Sequence, residues 1–310
     1  MTLQELLNMA LNRVGLTQTQ DTFKSQARLY ANIVAKDILG EARWFWAYKT
    51  GTLRTTRRLT VSASSSATFT AGFEIRDEQS PYYSATIDSW DSTNGYLYVY
   101  SENAVTPTGT LREYEGPGAT GFTATYSSRE YTRTYKLSSD VDTLYYFVNE
   151  TAGMRFEIAG PEEYVTRDPE RDDTGDTHQI IIEGLDSDTS TGQIQIAVNP
   201  RLSTTNETLR YGYYLLLPDW TKADDATDLA KWIHPTVQPA LVFGISELYK
   251  QEKGDDDGAE VDRNQFRRII ARAKIRNLNI QGNRRYRLRG NMGIGRTRRL
   301  DFSVAEGTLT

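Results

Sequence analysis

Thirteen lysines and arginines lie between Arg263 and Arg299 with no acid among them, the densest run of like charge in the 310-residue chain. A guanidinium offers a planar fork of donors that fits a carboxylate or phosphate in a bidentate pair, so such a run reads anions rather than catalysing a reaction. Removing those thirteen cations from the formal net charge of −5 leaves −18 for everything else. A split this steep points to a partner. Residues 281–310 are rich in Gly and Arg and poor in apolar anchors, a composition that does not order by itself. They are expected to form an arm that docks into another chain, its guanidinium groups on carboxylates and Tyr286, Leu288, Ile294, Leu300 and Phe302 in apolar pockets. A solvated end and a nucleic-acid clamp are the other two readings. The acidic remainder argues against dedicated DNA binding, because it repels phosphates.

Other chemistry is sparse. The two histidines are His178, in a strand-like stretch, and His234, just before Pro235. Neither accompanies a nucleophile elbow, since Gly244-Ile245-Ser246-Glu247 has helical surroundings and no closing glycine, and both read as structural. Gly116-Pro117-Gly118-Ala119-Thr120-Gly121 matches the dinucleotide fingerprint only in letters. It stands between tyrosine-rich β segments with no helix behind it, so a hairpin turn is expected. Asp255–Asp257 and the acids from Asp168 to Asp173 lack the alternating spacing of a calcium loop and read as solvated turns. Without cysteine there is no disulfide, thiolate nucleophile or thiolate-bound metal. Acyl transfer, dinucleotide binding and a chelated metal are therefore not expected, and no cofactor is expected. Paired carboxylates for glycoside hydrolysis stay open, because acid and base are paired in space and not along the chain, and abundant Tyr and Trp keep sugar binding as an alternative, through exposed Trp90 or Trp220. No basic leader precedes an apolar run, and no apolar stretch approaches the ~18 residues of a membrane span, so neither a signal peptide nor a membrane partner is expected.

These residues must be positioned by a small set of elements. Leu3, Leu6, Leu7, Ala10, Leu11 and Val14 recur at helical spacing behind a Thr2–Glu5 capping box, with Gly15 as the stop. A second helix from about Asp21 carries Phe23, Ala27, Tyr30, Val34 and Ile38 on one stripe and ends in Trp44-Phe45-Trp46. From Thr50 to about Leu217 the period changes to two, with clear strands at Tyr96–Tyr100, Thr143–Val148, Gln179–Ile182, Gln193–Val198 and Leu209–Tyr214. Helical spacing returns after Pro235 and again over about Ala259 to Asn279, where an apolar stripe of Phe266, Ile269, Ile270 and Ala273 coexists with a basic surface. The expected fold is α+β: a four-helix bundle formed by the N- and C-terminal helices, with a large inserted antiparallel β domain and an extended C-terminal arm. The expected domains are 1–49 and 219–280 for the two helix pairs, 50–218 for the β domain and 281–310 for the arm. Trp44 and Trp46, at the helix-to-β junction, are candidates for a subunit interface.

Several segments together resemble the head-to-tail adaptors of tailed bacteriophages, the tail tubular protein A-like family. They are Trp44-Phe45-Trp46, Tyr135-Lys136-Leu137-Ser138-Ser139-Asp140, Gly160-Pro161-Glu162-Glu163 before Asp168-Pro169, His178–Gly184, Ile196-Ala197-Val198-Asn199-Pro200 and Leu209–Tyr214. Members commonly carry proline where Ser138 and Arg201 stand here. The resemblance spans nearly the full length and implies a non-enzymatic virion protein of the neck and tail, assembled in the host cytoplasm. It further implies a homo-oligomeric ring of about twelve subunits beneath the phage portal protein, a tail tube or nozzle protein on its other side, and genomic DNA passing through without sequence-specific binding. The portal-binding arm would then use Arg284, Arg285, Tyr286, Arg287, Arg289, Arg296, Arg298, Arg299, Leu300 and Phe302. A different tail tube or nozzle subunit, or a carbohydrate-binding β module, are the rival readings.

Overall fold

The computed structural model describes residues 1–16, 20–63, 68–79, 81–162, 174–175, 179–185, 192–202 and 206–291. The chain divides into two compact units, one of Met1–Tyr48 with Leu217–Thr310 and one of Lys49–Leu216. The fold is mostly β, which corrects the expected helical bundle bearing a β domain. Thirteen strands form two sheets, one of them a closed barrel, and the described residues hold four α-helices.

In the helical unit, α1 (Leu3–Arg13), α2 (Asp21–Gly40) and α4 (Asp256–Asn291) all pack against α3 (Gln238–Glu252). That is three helices around one, not a four-membered ring. The reason lies in α3 itself, where Ala240, Leu241, Val242, Gly244, Ile245, Ser246 and Tyr249 are buried on several faces. A helix that is apolar most of the way round must be surrounded. Pro239 stands in its first turn, and Pro235 in the turn ahead. The closest approach is at Gly244, where a Cβ would lie 2.5 Å from Val34 Cγ1 of α2. The α1 capping box forms as its letters suggest, Thr2 Oγ1 accepting from the Glu5 N–H and Glu5 Oε2 from the Thr2 N–H. Arg28 of α2, itself buried, makes a bidentate pair with Asp225 at 2.9 Å on both arms.

The β unit contains β1 (Tyr48–Arg54), β2 (Arg57–Ala63), β3 (Glu74–Asp77), β4 (Ser84–Asp91), β5 (Tyr96–Tyr100), β6 (Thr110–Glu115), β7 (Gly118–Tyr131) and β8 (Thr134–Lys136). Beyond these come β9 (Val141–Asn149), β10 (Met154–Ala159), β11 (Thr174–Gly175), β12 (Gln179–Leu185), β13 (Ile194–Asn199), β14 (Arg201–Leu202) and β15 (Thr208–Leu215). Strands β2-β5-β4-β3-β6-β7 close into the barrel, and closure leaves no edge to aggregate. Alternation fills it: on β5, Leu97 and Val99 are buried with Leu59, Ile75, Ile87 and Leu111, while Tyr96, Tyr98 and Tyr100 take the other face. Polar groups are buried here as well: Glu102 pairs with Arg57 and accepts from the buried Tyr83 hydroxyl at 3.2 Å. Burial, reinforced by the Glu102 charge, drives the Tyr83 phenol far above its ordinary pKa, so it stays a hydrogen-bond donor.

The second sheet runs β1-β15-β9-β10-β12-β13-β8. Its core gathers Leu137, Phe147, Phe156, Ile180, Ile196, Val198 and Tyr211. β10 pairs β12 in parallel, Glu157 opposite Gln179, and β11 pairs β14 in parallel, so the β region is not wholly antiparallel as expected. Period-two alternation marks a strand and a face but is blind to the direction of the neighbour.

The last correction concerns the arm. Residues 281–291 belong to α4 instead of forming an extended segment. Arg, Leu and Gln are good helix formers, and apart from Gly282 nothing interrupts them before Gly290. Residues 292–310 lie outside the described part.

Replacing Gly244 with Ala should destabilise the protein by about 1–3 kcal/mol through overpacking against Val34, even though alanine favours a helix. Urea unfolding will report it, and Val34→Ala in the same chain should restore much of the loss.

Candidate functional site

The basic helix α4 is rooted in the helical unit by a buried carboxylate. Asp262 has no exposed surface. Arg13 of α1 donates to its Oδ1 through Nε at 2.8 Å and through Nη2. From α3, Ser246 donates to Oδ2 at 2.6 Å and Lys250 Nζ lies 2.8 Å away. The Arg13 guanidinium also stacks 4.6 Å above the Phe243 ring, which holds it in place. Burial alone would raise the Asp262 pKa, but donation from Arg13, Lys250 and Ser246 outweighs it and keeps the carboxyl below the usual carboxylate range. Three helices thus meet on one negative charge.

Further along α4, Asn277 is buried and bonds the chain after α2. Its Oδ1 accepts from the Phe45 N–H at 2.9 Å and its Nδ2 donates to the Arg43 carbonyl at 3.0 Å. Ile270 and Ala273 are the buried apolar residues between these anchors, with Ala259 just ahead of Asp262, while Phe266 and Ile269 of the expected stripe are only half-buried.

Outside this seam, Arg267, Arg268, Arg272 and Arg276 are exposed and make no ion pair with another described residue. Arg263 and Lys274, by contrast, pair with Glu247 and Glu41. Arg268, Arg272 and Arg276 are spaced four apart, so their charges stack along one face, and Ile275 and Leu278 are exposed beside them. Of the residues read from the sequence as the arm, Arg284, Arg285, Tyr286, Arg287 and Arg289 lie on the α4 backbone. Arg296, Arg298, Arg299, Leu300 and Phe302 lie outside the described residues, as do His178 and the acids from Asp168 to Asp173.

Trp44 is buried, donating its indole N–H to the Ile38 carbonyl at 2.6 Å, and Trp46 stacks on it at 5.9 Å while half-buried. The side chain that this junction exposes is Phe45, edge-on to His234 at 5.4 Å. His234 is held by Thr236, and its pKa is depressed by burial and by Arg276, which suits a neutral structural ring. Trp220 is buried, so it is not the open aromatic platform considered for a sugar, and Trp90 is half-buried, edge-on to Phe69 at 5.1 Å, with part of its surface on a cleft of the β unit. Gly116 and Pro117 form the tight β6–β7 turn, with Glu115 opposite Gly118.

The β unit holds a cleft of about 1010 Å3, walled by the barrel and by the seven-stranded sheet and lined in part by Arg54, Asp88, Trp90, Asp91, Tyr98 and Lys136. Asp88 falls where the β4–β5 register shifts between Ile87 and Ser89, a bulge that turns an extra side chain out of the ladder. Burial raises its carboxyl pKa, against the opposing pull of Ser89 and Arg54.

Sequence reasoning missed the Asp262 cluster, the free stripe at Arg268, Arg272 and Arg276, and the cleft. The stripe was visible as a four-residue repeat. The other two join residues far apart in the chain, such as Arg13 and Asp262, separated by 249 positions, and no local pattern marks them. No family model matches the chain, and no curated protein matches it.

Asp262→Asn should cost about 3–5 kcal/mol at neutral pH, since it strands Arg13 and Lys250. The folded carboxyl titrates below its unfolded value, so its contribution is complete above about pH 4 and fades as pH falls through the folded pKa. In urea titrations across pH, the gap between wild type and variant should therefore narrow in acid; a gap independent of pH would refute the assignment.

Proposed function

We propose that the chain is a structural subunit of a tailed-phage virion, a head-to-tail adaptor that forms a homo-oligomeric ring and docks on the portal through its basic C-terminal helix and arm. The supporting observation is the exposed guanidinium stripe at Arg268, Arg272 and Arg276, free of acids among the described residues and continued along the α4 backbone by Arg284, Arg285, Arg287 and Arg289. Each like-charged i, i+4 pair costs an isolated helix about 0.2–0.5 kcal/mol. An acidic protein groove reverses that cost and turns each guanidinium into a directional, often bidentate, contact.

A protein partner fits better than nucleic acid because the remainder of the chain, at −18, would repel a phosphate backbone approaching it. Genomic DNA passing such a surface would not be held by it. The resemblance to phage adaptors supplies the ring of about twelve, the tail tube or nozzle protein as second partner and the neck of the virion as location. Phe45 and Trp46 are the aromatic side chains through which neighbouring subunits would meet, with Trp44 beneath them as support. The role is structural and uses no cofactor.

Native mass spectrometry of the full chain, of a chain ending at Gln281 and of an Arg268→Ala/Arg272→Ala/Arg276→Ala variant, each mixed with the portal ring in moderate salt, tests this. The full chain should give a portal-bound ring. The truncated chain should fold but fail to attach, and the triple variant should bind at least tenfold more weakly, about 1.4 kcal/mol. Attachment of the truncated chain as strong as that of the full one would overturn the docking role.

A further inference from the structure

The β-unit cleft has no part in docking through α4. Its volume of about 1010 Å3 is at the top of the ~300–1,000 Å3 range of small-ligand sites. The ionisable side chains that face it, Arg54, Lys136, Asp88 and Asp91, cancel in formal charge, so the cleft concentrates neither anions nor cations. Between them the wall is mostly hydroxyl, from Thr52, Thr56, Thr132 and Thr134, with Leu53 and Trp90 as its apolar part. Donors and acceptors are therefore interspersed, without a field.

The two carboxylates are not equivalent. Asp91 is committed to the β4–β5 turn, accepting from the Thr93 and Asn94 N–H groups at 3.0 and 3.2 Å and from Asn94 Nδ2 at 2.8 Å. Asp88, on the bulge, accepts among the described residues only from its neighbour Ser89, at 3.3 Å. Facing it from β1 is Arg54, whose guanidinium is fixed 4.2 Å above the Tyr100 ring. An acceptor with spare lone pairs and a forked donor thus share one wall.

We propose that this cleft binds a neutral saccharide, Asp88 accepting from ring hydroxyls, Arg54 donating to hydroxyl and ring oxygens, and Leu53 with Trp90 meeting the C–H face. A polyol is the ligand class that uses donors and acceptors equally and gains nothing from net charge. The proposal goes beyond the adaptor reading and does not rest on it, so a failure of either leaves the other standing.

Saturation-transfer NMR and calorimetry on the full chain with chitohexaose, cellohexaose and maltohexaose test it, with inorganic phosphate as the charged control. At least one oligosaccharide should bind with a millimolar or tighter dissociation constant. Asp88→Ala and Arg54→Ala should each weaken it at least tenfold while leaving the melting temperature unchanged, and Asp88→Asn should weaken it less than Asp88→Ala. Silence from all three sugars, binding that survives both alanine substitutions, or a preference for phosphate would overturn the assignment.

Discussion

A carboxylate with no access to water is tolerable only when donors reach it from every side, and the helical unit is arranged around meeting that demand at Asp262. Arg13, Ser246 and Lys250 come from two other helices, so satisfying one charge fixes the register of α1, α3 and α4 together. Apolar packing alone would leave α4 poorly specified, because its buried apolar residues are few, two alanines and Ile270. Methyl-sized contacts tolerate a shift along the axis, whereas a multiply bonded carboxylate does not. Asn277 repeats the principle at the far end of the seam, using two backbone groups of the segment after α2.

The β unit handles its polar groups differently. Closure of the six-stranded barrel pairs its ladders internally, and each buried ionisable group has its own partners, Glu102 with Arg57 and Tyr83, Asp77 with Thr108 and Glu113 with Thr120. On the outside, cations lie across tyrosine rings, Arg58 at 4.2 Å from Tyr96 and Arg76 at 4.7 Å from Tyr114. Such contacts cover aromatic surface without hiding the charge. The cleft wall inherits this chemistry through Arg54 and Tyr98.

What could be read from letters was whatever is encoded locally. The α1 capping box spans four residues and the β5 alternation five, and both stand as expected; so do the strands around Phe147, Ile180 and Tyr211. What was misread depends on distance in the chain. The weight of the fold sits in two sheets instead of a helical bundle because the closure of β7 on β2 and the parallel pairing of β10 with β12 join segments that no short window contains. The length of α4 was underestimated because glycines and arginines after Gln281 suggested an extended arm, while the propensity of the intervening residues carries the helix to Asn291. The candidate site was half legible: the basic run was plain, but the free stripe could be separated from paired cations only once Glu247 and Glu41 were seen to neutralise Arg263 and Lys274.

The unbroken course of α4 has a mechanical meaning. Its 36 residues make a rod of about 54 Å, clamped by Asp262 near one end and by Asn277 beyond its middle. Tension applied to the distal end along the axis loads these anchors in shear, so their hydrogen bonds bear force together and must fail together. A sideways pull would instead peel Asn277 first and use the rod as a lever against Asp262. The helix is therefore built to be stiff in one direction and compliant in another, and resists axial traction most.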